Sequence, residues 1–380
     1  MTLSKPPILS SSDTPWQESF SEIQCYGDHQ VNSILTKLIE DPYFTPKLFS
    51  LFSASHVLKP TLNHLKQVDT IDALQNWIEY HIFPLVELSY KRFSISGLDN
   101  LDKHQNYIFI SNHRDIVMDP LLLNQALRSN GFSTANCAIG DNLLTHPFAN
   151  DLALLNRCFK VFRSLKSPRA MLNAMKNQCA YIQYLHFNKH EHIWIAQKEG
   201  RAKDNIDKTN PALIKMLGLC KPKENSLEDY LESLNIVPVC FSYEWDPCDT
   251  DKAQQLNNQQ TDTTYQKDAM DDLIATQKGL KGYKGQIHLH FGMPLKRSQT
   301  LTTLNHKTLS EEIDRIIHES YKVYPVNYAA YKKVHGSAYV SCPFDKQEVN
   351  KAQIKLEKRL EGYSSDIAKR VYSAYAQVLM

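Results

Sequence analysis

The apolar run Tyr107, Ile108, Phe109 and Ile110 breaks off at Ser111, Asn112, His113, Arg114 and Asp115, and a second run, Leu121 to Leu123, follows Asp119 and Pro120. The first run favours a β-strand, and Asp-Pro ahead of leucines fits a helix start. A strand that passes through a short polar loop into a helix belongs in an open α/β sheet, whose ligands sit at the strand ends. His113, with Asp115 and Asp119 close by, is therefore placed for chemistry.

The remaining chain repeats the theme. "KRFSISG" alternates Phe93 and Ile95 with Ser94 and Ser96 and closes at Gly97, so it reads as a strand forming a hairpin-like pair with the His113 strand. "TANCAIGDNLL", "CFKVFR" ending at Arg163, "HIWIAQKEG", "NIVPVCFSYEW" and "GQIHLHFGMPL" read as further strands. Ser167 ahead of Pro168 reads as the N-cap of a helix running to about Tyr184.

Upstream, Ile34, Leu35, Leu38 and Ile39 share a helical face ended by Pro46, and Leu48, Leu51, Phe52 and Val57 form an apolar run. Residues from Ile71 to about Leu88 read as a helix broken at Pro84. Downstream, "SEEIDRIIHESY" reads as a helix start, and Gln347 to Leu379 is helically periodic. The Gln/Asn-rich segment after Trp245 reads as an exposed insertion without chemistry. The expected organisation is a poorly ordered N-terminus over 1–25, a helical segment over 26–90, an α/β domain over 91–298 with a mixed central sheet flanked by helices, and a helical tail over 299–380.

With 43 basic and 41 acidic residues, a net charge of +2, nothing in the total recommends nucleic acid as a partner. The eight cysteines form no CxxC pair and no disulfide-like framework, which fits reduced thiols in a cytoplasmic protein. No secretory signal and no run of about 18 apolar residues is visible, so contact with a membrane is expected to be peripheral, on its inner face.

Four loops concentrate charge or rigidity at the ends of the expected strands: His113 with Asp115 and Asp119, Phe162-Arg163, Lys198-Glu199-Gly200-Arg201, and Val237-Pro238. In that order, over roughly Phe93 to Leu295, they resemble the four sequence blocks of the glycerolipid acyltransferases, which include glycerol-3-phosphate and lysophosphatidic acid acyltransferases. The resemblance implies acyl transfer from acyl-CoA or acyl-carrier protein to a hydroxyl of a glycerophosphate, lysophospholipid or related lipid. It implies His113 as general base, an Asp as its orienter, Arg163 at the acceptor phosphate, Lys198, Glu199, Gly200 and Arg201 beside the acceptor, and Pro238 near the acyl donor. No cofactor or metal is implied.

Two spacings depart from the family. Its first block has four residues between His and Asp, whereas His113 and Asp119 have five, so either Asp119 keeps the role across a longer loop or Asp115 has taken it. Arg201 follows Gly200 directly, where the family commonly has a small residue between.

Three other readings compete. Asn112 and Asp115 could simply cap a helix beside a surface histidine. His288 and His290, two apart on a strand, share a face and could join His113 and Asp115 in a metal-dependent hydrolase. The altered spacings would also suit a non-catalytic lipid- or carrier-binding protein on the same fold. The aromatic and basic stretch Tyr321 to Lys333 could meet lipid headgroups or pack as a lid.

Overall fold

A computed structural model describes residues 20–46, 61–144, 147–163, 165, 167–265, 269–299, 301–336 and 341–380. The run Leu48, Leu51, Phe52 and Val57 lies outside the described residues, as do 1–19. The described end of the stretch expected to be poorly ordered is packed: Phe20 and Ile23 are buried, and Ile23 offers its carbonyl to Lys160 N at 2.9 Å.

In chain order the elements are α1 (Asp28–Glu40), α2 (Leu62–Leu65), α3 (Ile71–His81), α4 (Phe83–Glu87), β1 (Arg92–Ser96), β2 (Ile108–Ser111), α5 (Met118–Ser129), β3 (Ala135–Gly140), α6 (Pro147–Leu155), β4 (Cys158–Val161) and α7 (Pro168–Gln183). Then come β5 (His192–Ala196), α8 (Pro211–Leu217), α9 (Leu227–Ser233), β6 (Ile236–Tyr243), α10 (Asp249–Thr261), α11 (Ala269–Lys281), β7 (Gln286–Phe291), α12 (His306–Ser320), α13 (Pro325–His335), α14 (Lys346–Arg359) and α15 (Ser365–Gln377).

Among the described residues the strands form one seven-stranded sheet, ordered β1-β7-β6-β2-β5-β3-β4. All pairs are parallel except β6 with β7, so the sheet is mixed. β2 lies between β5 and β6, and its alternate residues bury to opposite faces: Ile108 and Ile110 against α7, α8, α9 and α12, and Phe109 against α5. The C-terminal ends of β2, β3, β4, β5 and β6 therefore open on one edge of the sheet.

Several expectations are corrected. β1 forms no hairpin with β2; it pairs in parallel with β7 at the far edge, because the link between the two carries the chain past β7 and β6. α1 ends at Glu40, well before Pro46. α12 begins at His306 with Asn305 as its cap, and Ser310 lies inside it. Leu309, Ile313 and Ile317 of α12 enter the same core as Ile108 and Ile110.

The Gln/Asn-rich segment is not a loose insertion. It forms α10, which buries Asp249, Thr250, Lys252, Ala253 and Gln255 toward the sheet and the C-terminal helices. Ala253 joins Trp245 in a core closed by α13, α14 and α15. Tyr324 and Val326 are buried in that core, so this part of the aromatic stretch packs inward.

Candidate active site

At the end of β2 the chain turns through Asn112 to Val117 before α5 begins. Asn112 spans the gap to β6: its amide oxygen accepts from Phe241 N at 2.8 Å and its nitrogen donates to Phe241 O at 3.0 Å. Ala202 N donates to His113 O at 2.8 Å, which stitches the loop after β5 to the loop after β2.

His113 faces Asp119 across this loop. Its Nδ1 is 2.8 Å from Asp119 Oδ2, and Asp119 has no solvent-exposed surface. A carboxylate only accepts, so Nδ1 carries a proton, and in the neutral imidazole the lone pair is on Nε2. Asp119 is well supplied with donors: Oδ2 also accepts from Arg114 N at 2.6 Å and Asp115 N at 3.0 Å, and Oδ1 accepts from Tyr243 hydroxyl at 2.8 Å. It also sits in the first turn of α5, where the helix dipole favours negative charge. These contacts give both oxygens of a fully buried carboxylate hydrogen-bond partners. Trp194 of β5 packs edge-on against the imidazole, with ring centroids 5.5 Å apart.

The two Asp candidates are thereby separated. Asp115 turns away from the imidazole and caps the helix start, its Oδ1 accepting from Val117 N at 3.0 Å and Met118 N at 2.9 Å. Burial raises its carboxyl above the usual range, Asp119's charge adds to this, and Lys284 partly offsets both. Asp115 thus caps the helix start, while the N–H groups of Arg114 and Asp115 close on Asp119.

The other blocks are brought to the same edge unevenly. Arg163, just past β4, lies along Gly140 at the end of β3, where a β-carbon would come within 2.5 Å of its Nε. Its guanidinium is 3.6 Å from the Glu199 carboxylate. Gly200 has a left-handed φ of 75°, which favours glycine. Lys198 turns back to donate to Ile206 O at 2.7 Å. Arg201 has 8% of its side chain exposed and ends 3.9 Å from Asp272 of α11, so it is directed toward that helix.

Pro238 is not at a strand end. It is the third residue of β6, level with Ile110 of β2. The β6–β7 ladder begins at Val239, and Pro238 accepts from Gly292 N at 2.8 Å, so its ring nitrogen faces the side where β7 has already ended.

His288 and His290 are engaged elsewhere, beside β1. Ser94 hydroxyl is 2.8 Å from His288 Nδ1, and Ser96 hydroxyl is 2.9 Å from His288 Nε2 and 2.8 Å from His290 Nδ1. Among the described residues no three His, Cys, Asp or Glu side chains are grouped to hold a metal ion, so His113, Asp115, His288 and His290 do not form one centre.

Several supporting residues carry no local signal in the sequence. Arg114 is buried and pairs with Asp207 through both of its terminal nitrogens, while its carbonyl accepts from Lys252 Nζ at 2.7 Å. Lys252 also pairs with Asp246, whose carboxyl is held below its usual range by that ammonium despite burial. Tyr243 reaches Asp119 from the end of β6.

Residues 92–242, from β1 to the penultimate residue of β6, match the family model described as Acyltransferase. Over this stretch the chain is similar to the acyltransferases. Among solved structures, the 1-acyl-sn-glycerophosphate (LPA) acyltransferase PlsC from Thermotoga maritima is similar at 15% identity, with a TM-score of 0.37, covering 76% of this chain and 95% of that one. No curated protein matches the chain. The matched range contains His113, Asp119, Arg163 and Glu199, while Tyr243 lies one residue beyond it. No described helix is long and apolar enough to cross a membrane.

Proposed function

We propose that the chain transfers a fatty acyl group from a thioester, acyl-CoA or acyl-carrier protein, to a hydroxyl of a glycerophosphate, lysophospholipid or related lipid. The observation that carries this reading is the imidazole held through Nδ1 by buried Asp119, within a stretch that matches the Acyltransferase family model. His113 Nε2 takes the proton of the acceptor hydroxyl as its oxygen attacks the thioester carbonyl. Asp119 fixes the tautomer and stabilises the imidazolium. The C–O bond forms, the C–S bond breaks, and the proton passes from Nε2 to the departing thiolate, leaving ester and free thiol. Arg163, beside Gly140 and only loosely paired with Glu199, offers its guanidinium to an anionic group on the acceptor.

The test is thiol release from acyl-CoA and from acyl-carrier protein, with and without glycerol 3-phosphate and lysophospholipids, with the lipid product identified by mass spectrometry. Acceptor-dependent release with a matching ester product is expected. Release that ignores every acceptor, or none with either donor, would overturn the reading.

A further inference from the structure

Asp119 has two oxygens with different company. Oδ2 is crowded by His113 Nδ1, Arg114 N and Asp115 N, all from its own loop. Oδ1 is met by one side chain from a different strand, the Tyr243 hydroxyl at 2.8 Å. Tyr243 is buried, and its place is set by the sheet, as the last β6 residue in register with β7, opposite Ile287. Its ring stacks with Phe241, centroids 6.5 Å apart. The phenol is therefore delivered to the carboxylate by a rigid element, which a loop donor would not provide.

We propose that Tyr243 is a positioning residue of this site, fixing the orientation and the charge of Asp119 and, through it, the proton affinity of His113. The inference rests on the acyl-transfer reading for its kinetic consequence, but its physical content does not. Burial first, and then the charge of Asp119, hold the phenol well above its usual range, so it stays a donor at every working pH. With the hydroxyl removed, Oδ1 loses its partner in a dry site, the carboxylate becomes more basic, and the proton shared with His113 is held more tightly. The other charges facing this group are Arg114, Asp115 and Asp246, with Lys284 behind Asp115.

The experiment is Tyr243→Phe, alone and in an Asp119→Asn background, with His113 titrated by NMR of histidine-labelled protein and kcat and KM measured alongside. The titration point of His113 should rise by about one unit, the worth of one hydrogen bond to a charged group. The kcat should fall about tenfold with KM unchanged. In the Asp119→Asn background the same substitution should change neither. His113 titrating at the same pH in Tyr243→Phe and wild type would overturn the inference, as would a shift that persists without the Asp119 carboxylate. If the wild-type protein transfers no acyl group, the proposed function fails while the titration still decides the role of Tyr243.

Discussion

Asp119 Oδ2 lies 2.8 Å from His113 Nδ1, and the same oxygen accepts the backbone N–H groups of Arg114 and Asp115. The carboxylate that orients the imidazole also closes the loop between them. Catalysis and loop geometry should then fail together when Asp119 is changed. Asp119→Asn is expected to cut acyl transfer by about 10³-fold or more, since an amide can present NH2 to Nδ1 and favour the wrong tautomer. Asp115→Ala should keep the rate within about threefold while lowering stability by about 1–2 kcal/mol, the usual worth of a helix cap. Rates and denaturation midpoints of the two variants check this, and equal rate losses would contradict the separation of roles.

Lys252 links α10 to the His113 loop, with its ammonium between Arg114 O and the Asp246 carboxylate. Removing it strands a largely buried negative charge. Lys252→Met should destabilise the protein by about 3 kcal/mol, and Asp246→Asn added to it should recover a large part of that loss. Urea denaturation of the four proteins in this cycle gives the coupling; strictly additive effects would show that the pair is not coupled.

His186 and His192 are buried, and burial pushes both imidazoles down to about 4. The unfolded chain takes up these protons near pH 6.5, before the folded protein does. The stability from keeping the two rings neutral is thus present above that pH and drains away as pH falls from about 6.5 to about 4. The loss is at most roughly 3 kcal/mol per ring. Denaturation midpoints across that window should fall steeply and then flatten for these groups. Midpoints independent of pH there would contradict the burial of neutral rings.

His288 spends both ring nitrogens on Ser94 and Ser96, and His290 its Nδ1 on Ser96. Acyl transfer should therefore be unchanged by EDTA, and His290→Gln should keep the rate within about threefold. Loss of activity on chelation, restored by a divalent ion, would revive the metal-dependent reading.

The parts legible in the sequence were those whose cause is local. The abrupt end of β2 at Asn112 and His113, the Ser167 cap, and the Glu199-Gly200 turn each follow from neighbouring residues. The choice between Asp119 and Asp115 was not local in this sense, because it depends on which carboxylate the loop's own N–H groups fold around. Tyr243 lies 124 residues from Asp119, and only the placement of β6 beside β2 brings them together. Lys252 was hidden differently: a polar, glutamine-rich composition resembles a solvated loop until one helical face is found buried. The supposed β1–β2 hairpin failed because two adjacent runs of strand period say nothing about which strands are inserted between them.

The measurement that bears most directly on the site is acyl transfer by His113→Ala, compared with wild type at equal concentration after circular dichroism has shown both to be folded. Loss of acceptor-dependent thiol release by at least about 10³-fold is expected. Unchanged release by the folded variant would contradict His113 as the base.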